Sequence, residues 1–209
     1  MKNTKTFIFL SNATGGIATY QSNIINFLAR KNYKTLLIDK KFNQTEKNLK
    51  NKLKNHKFIL ADILRNFFKG IKALKEIKKK RTKENIFIFS NGVIFSIYFP
   101  VIMLLFKKPK ILLVYHSHLY NFNFTQIFFG LASSIFSMMS YRIFFVSKFT
   151  MKWWNTYFPF TKLSNQTVLY NYINIPKNVK IKKQNKLNIG FVGRLEKEKG
   201  IDAFTNITK

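Results

Sequence analysis

The residues with the most specific chemistry lie near the end of the chain, in the stretch GRLEKEKGID at positions 193–202. This stretch directly follows LNIGFV at positions 187–192, an apolar run of strand length. A glycine at the end of a buried strand lets another group approach the backbone closely. Arg194 and Lys199 can then both reach an anion held beyond the carboxyl end of a sheet. The pattern predicts a clamp for a diphosphate, and the alternative is a solvated charged turn.

Two earlier places also combine a strand end with chemically useful residues. Gly15 and Gly16 follow the apolar run at 6–10, where a helix N-terminus could bind an anion through its free N–H groups. His116 follows the apolar run at 110–115. Each signal is weak alone, because paired glycines are frequent in turns and a histidine at a strand end is more often structural.

The elements that must position these residues alternate along the chain. Apolar runs predict strands at 6–10, 34–38, 58–61, 85–89, 110–115, 142–146 and 167–169. Amphipathic or long apolar segments predict helices at 18–31, 69–83, 93–106, 126–140 and 148–158. Because several strands are apolar at successive positions, burial on both faces is expected. The order predicts an α/β fold with a doubly wound parallel sheet.

The same pattern divides the chain into two domains of unequal size. Residues 1–175 are predicted to form one α/β domain, and residues 176–186 have the Pro, Lys, Asn and Gln composition of a linker. The strand pattern restarts at 187, so residues 187–209 are expected to be the beginning of a second domain that is cut off. A length of 209 residues leaves little room for a complete second domain.

The composition excludes several classes of protein. A hydrophobic fraction of 46% is that of a chain that buries a core. With no cysteine and three histidines, disulfides are excluded and a structural zinc site is not expected. The N-terminus lacks the long apolar run of a signal peptide, which favours a cytoplasmic protein. The apolar segment 93–106 is short and contains Pro100, so a buried helix is predicted there instead of a membrane span.

The net charge of +29 would attract polyanions such as nucleic acid, anionic lipid head groups or phosphorylated substrates. An alternative explanation of the charge is genome composition, since Lys, Asn, Ile and Phe have AT-rich codons and are all abundant here. The densest run, 69–83, has Ile71, Leu74 and Ile77 at helical spacing with lysines on its other faces. This predicts an amphipathic basic helix, and an anionic membrane surface is a candidate partner for it. Nucleic acid is the least favoured partner, because the aromatic residues fall in core-like segments.

Taken with its preceding strand, GRLEKEKGID resembles the start of the donor domain in family 4 retaining glycosyltransferases of the GT-B fold. The resemblance extends back through a Rossmann-like N-terminal domain. It implies that Arg194 and Lys199 neutralise the diphosphate of a nucleotide sugar. It also implies that Gly15 and Gly16 match the glycine-rich first loop near the donor, and that His116 contacts the donor sugar or the departing phosphate.

Other positions fit the family pattern less specifically. Ser147 matches the family's Val-Ser step before a helix, and its hydroxyl is expected to cap that helix. The stretch NYIN at 171–174 stands where the family has Asn-Gly-Ile/Val-Asp. Tyr172 and Asn174 depart from that pattern, so no turn or hinge role is assigned there.

The resemblance implies a metal-independent transfer of sugar from a nucleotide sugar to a glycan or lipid-linked acceptor. The expected setting is cell-surface polysaccharide biosynthesis, as in capsule or lipopolysaccharide, with peripheral contact at the inner face of the plasma membrane. The family's donor domain continues with a pair of Glu residues that this chain lacks, so the chain is expected to be inactive without a donor half, which a separate chain could supply. The alternative is a non-catalytic basic module that binds membrane surfaces or polyanions.

Overall fold

The computed structural model describes residues 5–11, 15–39, 56–60, 66–79, 84–117, 119, 123–171 and 200–207. The strands are β1 (Lys5–Leu10), β2 (Lys34–Asp39), β3 (His56–Leu60), β4 (Glu84–Phe89), β5 (Lys110–Tyr115), β6 (Arg142–Phe145) and β7 (Gln166–Val168). The helices are α1 (Gly15–Arg30), α2 (Phe67–Lys79), α3 (Gly92–Leu105), α4 (Phe124–Ser137), α5 (Lys148–Tyr157) and α6 (Ile201–Ile207). A 3₁₀ helix at Pro159–Leu163, which the sequence pattern did not predict, follows α5.

These strands form one parallel sheet in the order β3-β2-β1-β4-β5-β6-β7. Strand β1 lies between β2 and β4, with Ile8 opposite Leu36 on one side and Phe87 on the other. Strands β2 and β3 extend the sheet on one side of β1, and strands β4 to β7 extend it on the other side. The boundary between β1 and β4 is therefore a topological switch point, where α/β sheets bind ligands at the carboxyl ends of their strands. The predicted doubly wound parallel sheet is confirmed.

Alternate side chains of the central strands pack into two buried clusters. Ile8, Leu10 and Phe87 belong to a cluster that includes buried side chains of α2, α3 and α5. Phe9 and Leu37 belong to the other cluster, with α1 side chains. Because successive side chains of a strand point to opposite faces, α1 lies on one face of the sheet and α2, α3 and α5 on the other.

Helix α3 is the apolar segment for which a buried helix was predicted, and the structure confirms that prediction. Asn91 caps its N-terminus by accepting hydrogen bonds from the backbone N–H groups of Val93 and Ile94. The helix continues through Pro100 and buries Phe95 and Tyr98 completely. None of the helices in the described ranges is both long and apolar enough to cross a membrane.

Helix α2 is amphipathic, as its spacing predicts. Ala73, Leu74 and Ile77 are buried against the sheet and α3. The exposed side carries lysines, among them Lys69, Lys72, Lys75, Lys78 and Lys79. The rest of the predicted basic run, residues 80–83, lies outside the described residues.

Helix α4 does not follow the expectation that aromatic residues occupy the core. Phe124 and Phe128 are exposed, while the buried residues of the helix are Gly130, Ser133, Ser134 and Ser137. The helix packs on α3 and on the 3₁₀ helix with its small residues. The core-like placement expected for aromatic residues therefore does not hold for Phe124 and Phe128.

The close approach of α4 requires a glycine at position 130. An added Cβ there would overlap the Cζ atom of Phe158, whose ring is 2% exposed. We expect Gly130→Ala to lower the free energy of unfolding by about 2 kcal/mol, since overpacking a buried ring forces α4 outward. Urea denaturation measures this. Gly16→Ala is the matched control, because its Cβ would meet no atom within 4 Å; equal losses in the two variants would contradict the explanation.

The chain divides into two compact units, Met1–Tyr172 and Ile173–Lys209. The first contains the sheet and its helices. In the second, the described residues form the short helix α6, and the predicted strand at 187–192 lies outside them. The predicted domain and linker boundaries stay predictions.

Candidate functional site at the carboxyl end of the sheet

A cavity of about 160 Å³ opens at the carboxyl ends of β4 and β5, beside the switch point. Its lining comes from the residues that follow these strands and from four helices. The lining residues are Ile17, Ser90, Asn91, Gly92, Val93, Val114, Tyr115, His116, Ser117, Leu119, Gln126, Phe129, Gly130 and Trp154. The walls are mostly apolar with a few polar atoms, which is the usual composition of a small-molecule site.

His116, predicted from its position after a strand, lines this cavity. Its ring meets the ring of Tyr20 edge-on, with 4.8 Å between centroids. The Nε2 atom is buried and has no hydrogen-bond partner among the described residues. Burial lowers the pKa of His116 to about 4, so the imidazole is neutral near pH 7. A neutral imidazole can donate a hydrogen bond to a hydroxyl group or accept one from it, but it adds no positive charge beside a phosphate.

Gln126 is a site residue that the sequence pattern did not indicate. It lies in the first turn of α4, where its backbone N–H donates a 2.8 Å hydrogen bond to the capping side chain of Asn123. A glutamine at this position can complete a capping box by bonding back to the cap residue. Here the Oε1 atom is buried on the cavity side without a partner in the described structure. The Asn-x-x-Gln spacing could have marked the helix start, but not the cavity.

A buried shell of hydrogen bonds fixes the strand end on which His116 stands. The Tyr115 hydroxyl and the Ser133 hydroxyl on α4 are 2.6 Å apart. The indole Nε1 of Trp154 donates a 3.0 Å hydrogen bond to the carbonyl oxygen of Ser117. Burial also raises the pKa of Tyr115, which therefore stays protonated. The residues on both sides of His116 are thus held by α4 and α5.

A second polar network crosses the switch point itself. Ser11 follows β1 and its Oγ donates a 2.7 Å hydrogen bond to Oε1 of Gln21 in α1. The Nε2 of Gln21 donates a 2.7 Å hydrogen bond to Oγ of Ser90, which follows β4. Gln21 is completely buried, and Ser11 and Ser90 nearly so. The network therefore fixes α1 relative to the ends of both central strands.

Helix α1 begins at Gly15, and Gly16 is exposed in its first turn. The preceding residues 12–14 lie outside the described part of the chain. Ile17 lines the cavity and Tyr20 contacts His116. The structure thus brings the first turns of α1 together with His116, and the predicted role of Gly15 and Gly16 in binding the donor stays a prediction.

Arg194 and Lys199 lie outside the described residues, so their predicted role in binding a diphosphate also stays a prediction. The described part of their motif begins at Gly200, whose φ of +78° is in the region that favours glycine. As predicted, Ser147 caps α5, accepting a 3.0 Å hydrogen bond from the backbone N–H of Thr150. In the described ranges, no group of three or more His, Cys, Asp or Glu side chains is placed to hold a metal ion.

No protein-family model matches the sequence, and no curated protein matches it. Among solved structures, Anabaena Alr3699/HepE in complex with UDP has a TM-score of 0.56 at 10% identity, covering 81% of this chain and 44% of HepE. Acinetobacter baumannii MurG has a TM-score of 0.48 at 12% identity, covering 70% of this chain and 42% of MurG. Bacillus anthracis dTDP-glucose 4,6-dehydratase (rfbB) in complex with NAD has a TM-score of 0.48 at 12% identity, covering 68% of this chain and 54% of the dehydratase.

At these identities the likeness concerns the fold alone, and the comparison with HepE is the one that supports it. The chain has a Rossmann-like α/β fold, which it shares with HepE. It spans less than half the length of the HepE chain.

Proposed function

We propose that this chain forms the acceptor-side half of a GT-B glycosyltransferase that transfers a sugar from a nucleotide-sugar donor. The observation that carries the proposal is the cavity at the switch point, where His116 Nε2 and Gln126 Oε1 are both buried without partners in the described structure. Two such atoms in mostly apolar walls suit a small polyhydroxylated ligand, whose hydroxyl groups donate and accept hydrogen bonds.

The comparison and the sequence motif support the donor class. HepE, which shares the fold, was solved in complex with UDP, a nucleoside diphosphate. The resemblance of GRLEKEKGID to family 4 enzymes supports a retaining reaction, with Arg194 and Lys199 at the diphosphate. The acceptor we propose is a glycan or a lipid-linked sugar in cell-surface polysaccharide assembly.

In the proposed transfer, charged residues stabilise the leaving group and neutral residues orient the sugar. The bond from the donor sugar to the diphosphate breaks as the bond to the acceptor oxygen forms. Negative charge grows on the leaving diphosphate, which takes up the proton that the acceptor hydroxyl loses. Arg194 and Lys199 would stabilise that charge. His116 is neutral, so it would orient a sugar hydroxyl by hydrogen bonding, and Gln126 Oε1 would accept a hydrogen bond from another hydroxyl. Both contacts position the substrate.

The test is turnover of radiolabelled UDP-sugars and GDP-sugars by the 209-residue chain, alone and joined to the donor domain of a GT-B glycosyltransferase. We expect turnover only in the joined protein, because donor binding and exclusion of water need both walls of the cleft. In the joined protein, His116→Asn and Gln126→Leu should each lower kcat/KM by about tenfold, the effect of one lost hydrogen bond.

The control is His56→Asn on β3, the edge strand at the far end of the sheet order from β5. It should leave kcat/KM unchanged. A joined protein that folds and binds UDP but transfers no sugar would contradict the proposal, as would equal activity in all three variants.

The alternative is a non-catalytic module that binds membrane surfaces or polyanions. It is favoured by the exposed lysines of α2, such as Lys72, Lys75 and Lys78, and by the net charge of +29. Polyanion binding without any turnover in the joined protein would support this alternative.

A further inference from the structure

Helix α4 exposes most of its large apolar side chains and buries several of its small ones. The exposed set repeats at helical spacing and is called the outer face below; it consists of Phe124, Ile127, Phe128, Leu131, Ile135 and Met138. The residues buried on the opposite side are Gly130, Ser133, Ser134 and Ser137. Neighbouring elements extend the apolar surface, since Leu104 of α3 and Leu163 of the 3₁₀ helix are also exposed.

Specific contacts hold α4 in this orientation. The Ser134 hydroxyl donates a 3.0 Å hydrogen bond to the carbonyl oxygen of Phe158. The Ser137 and Ser164 hydroxyls are 2.9 Å apart, and Ser133 bonds Tyr115. Turning the helix would break these bonds and force phenylalanines into spaces that fit serine and glycine. The outer face is therefore a fixed feature of the fold.

The outer face also lacks charge in a strongly charged chain. From residue 111 to residue 141 the sequence has no Lys, Arg, Asp or Glu, although the whole chain has 37 basic residues. A helix whose outward side faces water normally carries charged residues there. A contiguous apolar surface of this kind indicates an interaction site.

Charge decides which occupant fits. A second copy would offer an apolar surface, but it would bring another chain of net charge +29 into contact. Nucleic acid would satisfy the charge but offers no apolar layer for the aliphatic side chains of the face. An anionic bilayer offers both, because apolar side chains enter the acyl boundary while basic residues meet the head groups. We propose that the outer face of α4 docks on the surface of an anionic phospholipid membrane.

Basic residues stand where this docking needs them. Helix α3 packs against both α2 and α4 on one side of the sheet, so the three helices form one layer. At the end of α3, Lys107 and Lys108 are exposed. Lys110, whose Nζ lies 5.3 Å from the centroid of the Tyr141 ring, is paired with Glu84 and is not counted among these basic residues. The exposed lysines of α2 continue the positive charge along the layer.

Docking would also place the candidate site near the lipid. Gln126, Phe129 and Gly130 of α4 line the cavity, so the helix has one side toward the ligand and another toward the membrane. This step rests on the proposed function, and it makes the acceptor a membrane-borne glycolipid instead of a soluble glycan. The docking itself does not depend on any enzymatic activity and is tested without substrate.

The first experiment compares two phenylalanines of similar exposure on opposite faces of the sheet. Phe128 on α4 is 57% exposed, and Phe27 on α1 is 55% exposed. We measure co-sedimentation of the full chain with vesicles of phosphatidylcholine alone and with equal amounts of phosphatidylcholine and phosphatidylglycerol. Phe128→Gln should lower the partition coefficient to the mixed vesicles about tenfold, and Phe27→Gln should leave it unchanged.

Charge is tested in the same assay. Wild-type binding should be much weaker with phosphatidylcholine alone and should fall as salt rises. The combined substitution Lys75→Gln, Lys78→Gln and Lys79→Gln should also weaken binding to the mixed vesicles, since basic residues near the surface add to the attraction. Equal binding of this variant and the wild type would reduce the charge of α2 to a compositional effect and overturn its part in the docking.

A second measurement can be interpreted even if a substitution changes the stability of the fold. Because the chain has no cysteine, a single Phe128→Cys or Phe27→Cys variant can be labelled with an environment-sensitive fluorophore. Mixed vesicles should blue-shift the label at position 128 and not the label at position 27. A shift at both positions or at neither would overturn the proposal. So would a wild-type dimer in lipid-free sedimentation that Phe128→Gln dissociates, since the face would then be a subunit interface.

Discussion

Replacing Gln21 with leucine should lower the free energy of unfolding by about 3 kcal/mol, although leucine has nearly the same volume. Gln21 is completely buried and makes two side-chain hydrogen bonds of 2.7 Å, to Ser11 and to Ser90. Leucine would leave the Ser11 and Ser90 hydroxyls without these bonds. Each hydrogen bond that a buried polar group loses costs about 1–3 kcal/mol, and two such losses outweigh the gain from an added apolar side chain.

The effect of Gln21→Leu can be separated from a packing defect. Adding Ser90→Ala to Gln21→Leu removes one of the two hydroxyls that lost a hydrogen bond to Gln21, so the double variant should recover about 1 kcal/mol relative to Gln21→Leu. Urea denaturation of the single and double variants gives these differences. If the double variant is less stable than Gln21→Leu, packing and not hydrogen bonding explains the loss.

The stability of the protein should fall by about 2 kcal/mol between pH 7 and pH 5 because of His116 alone. Burial lowers the pKa of this histidine to about 4, against an ordinary value of 6.5. The unfolded chain therefore binds a proton between these two values while the folded chain does not. The contribution of His116 to the free energy of unfolding is present in full above pH 6.5 and decreases as the pH falls. Near pH 4 this contribution is lost, and the loss approaches about 3 kcal/mol.

The measurement is the free energy of urea unfolding at pH 7, 6 and 5 for the wild type and His116→Asn. The variant should lose most of the pH dependence in this window. The window lies above the pKa of Glu84, which the hydrogen bond from Lys110 lowers from 4.5, so the loss of that ion pair does not contribute. Gly16→Ala, which removes no titrating group, serves as the control and should keep the wild-type slope. A slope that His116→Asn leaves unchanged would contradict a neutral, buried His116.

Much of the fold could be predicted because the strands are apolar at successive positions. Runs such as IFIF at 86–89 have no polar face, and only a sheet covered on both sides buries them. The order of the segments then gave the α/β class, and the structure confirms it. The position of His116 followed from the same logic, since residues after parallel strands gather at one edge of the sheet.

The sequence pattern could not predict which polar residues belong to the site. Gln21 and Gln126 lie on amphipathic helices, where glutamine is ordinarily solvated, and only the packing of α1 and α4 shows that both are buried in part or completely. The expectation that aromatic residues lie in the core fails at Phe124 and Phe128 of α4 for a related reason. Hydrophobic periodicity identifies the apolar side of a helix, but Gly130 and the serines permit a closer approach on the other side.

The position of β1 between β2 and β4 also determines when β1 can pair on both of its edges during synthesis on the ribosome. β2 follows β1 after a single helix, but β4 begins at Glu84, opposite Lys5. While the ribosome adds the residues between them, one edge of β1 has no partner strand, and open edges of apolar strands pair with other chains. The centre of the sheet closes only when Glu84–Phe89 has left the exit tunnel. The residues synthesised before Glu84 are therefore the part of the nascent polypeptide in greatest need of chaperone protection.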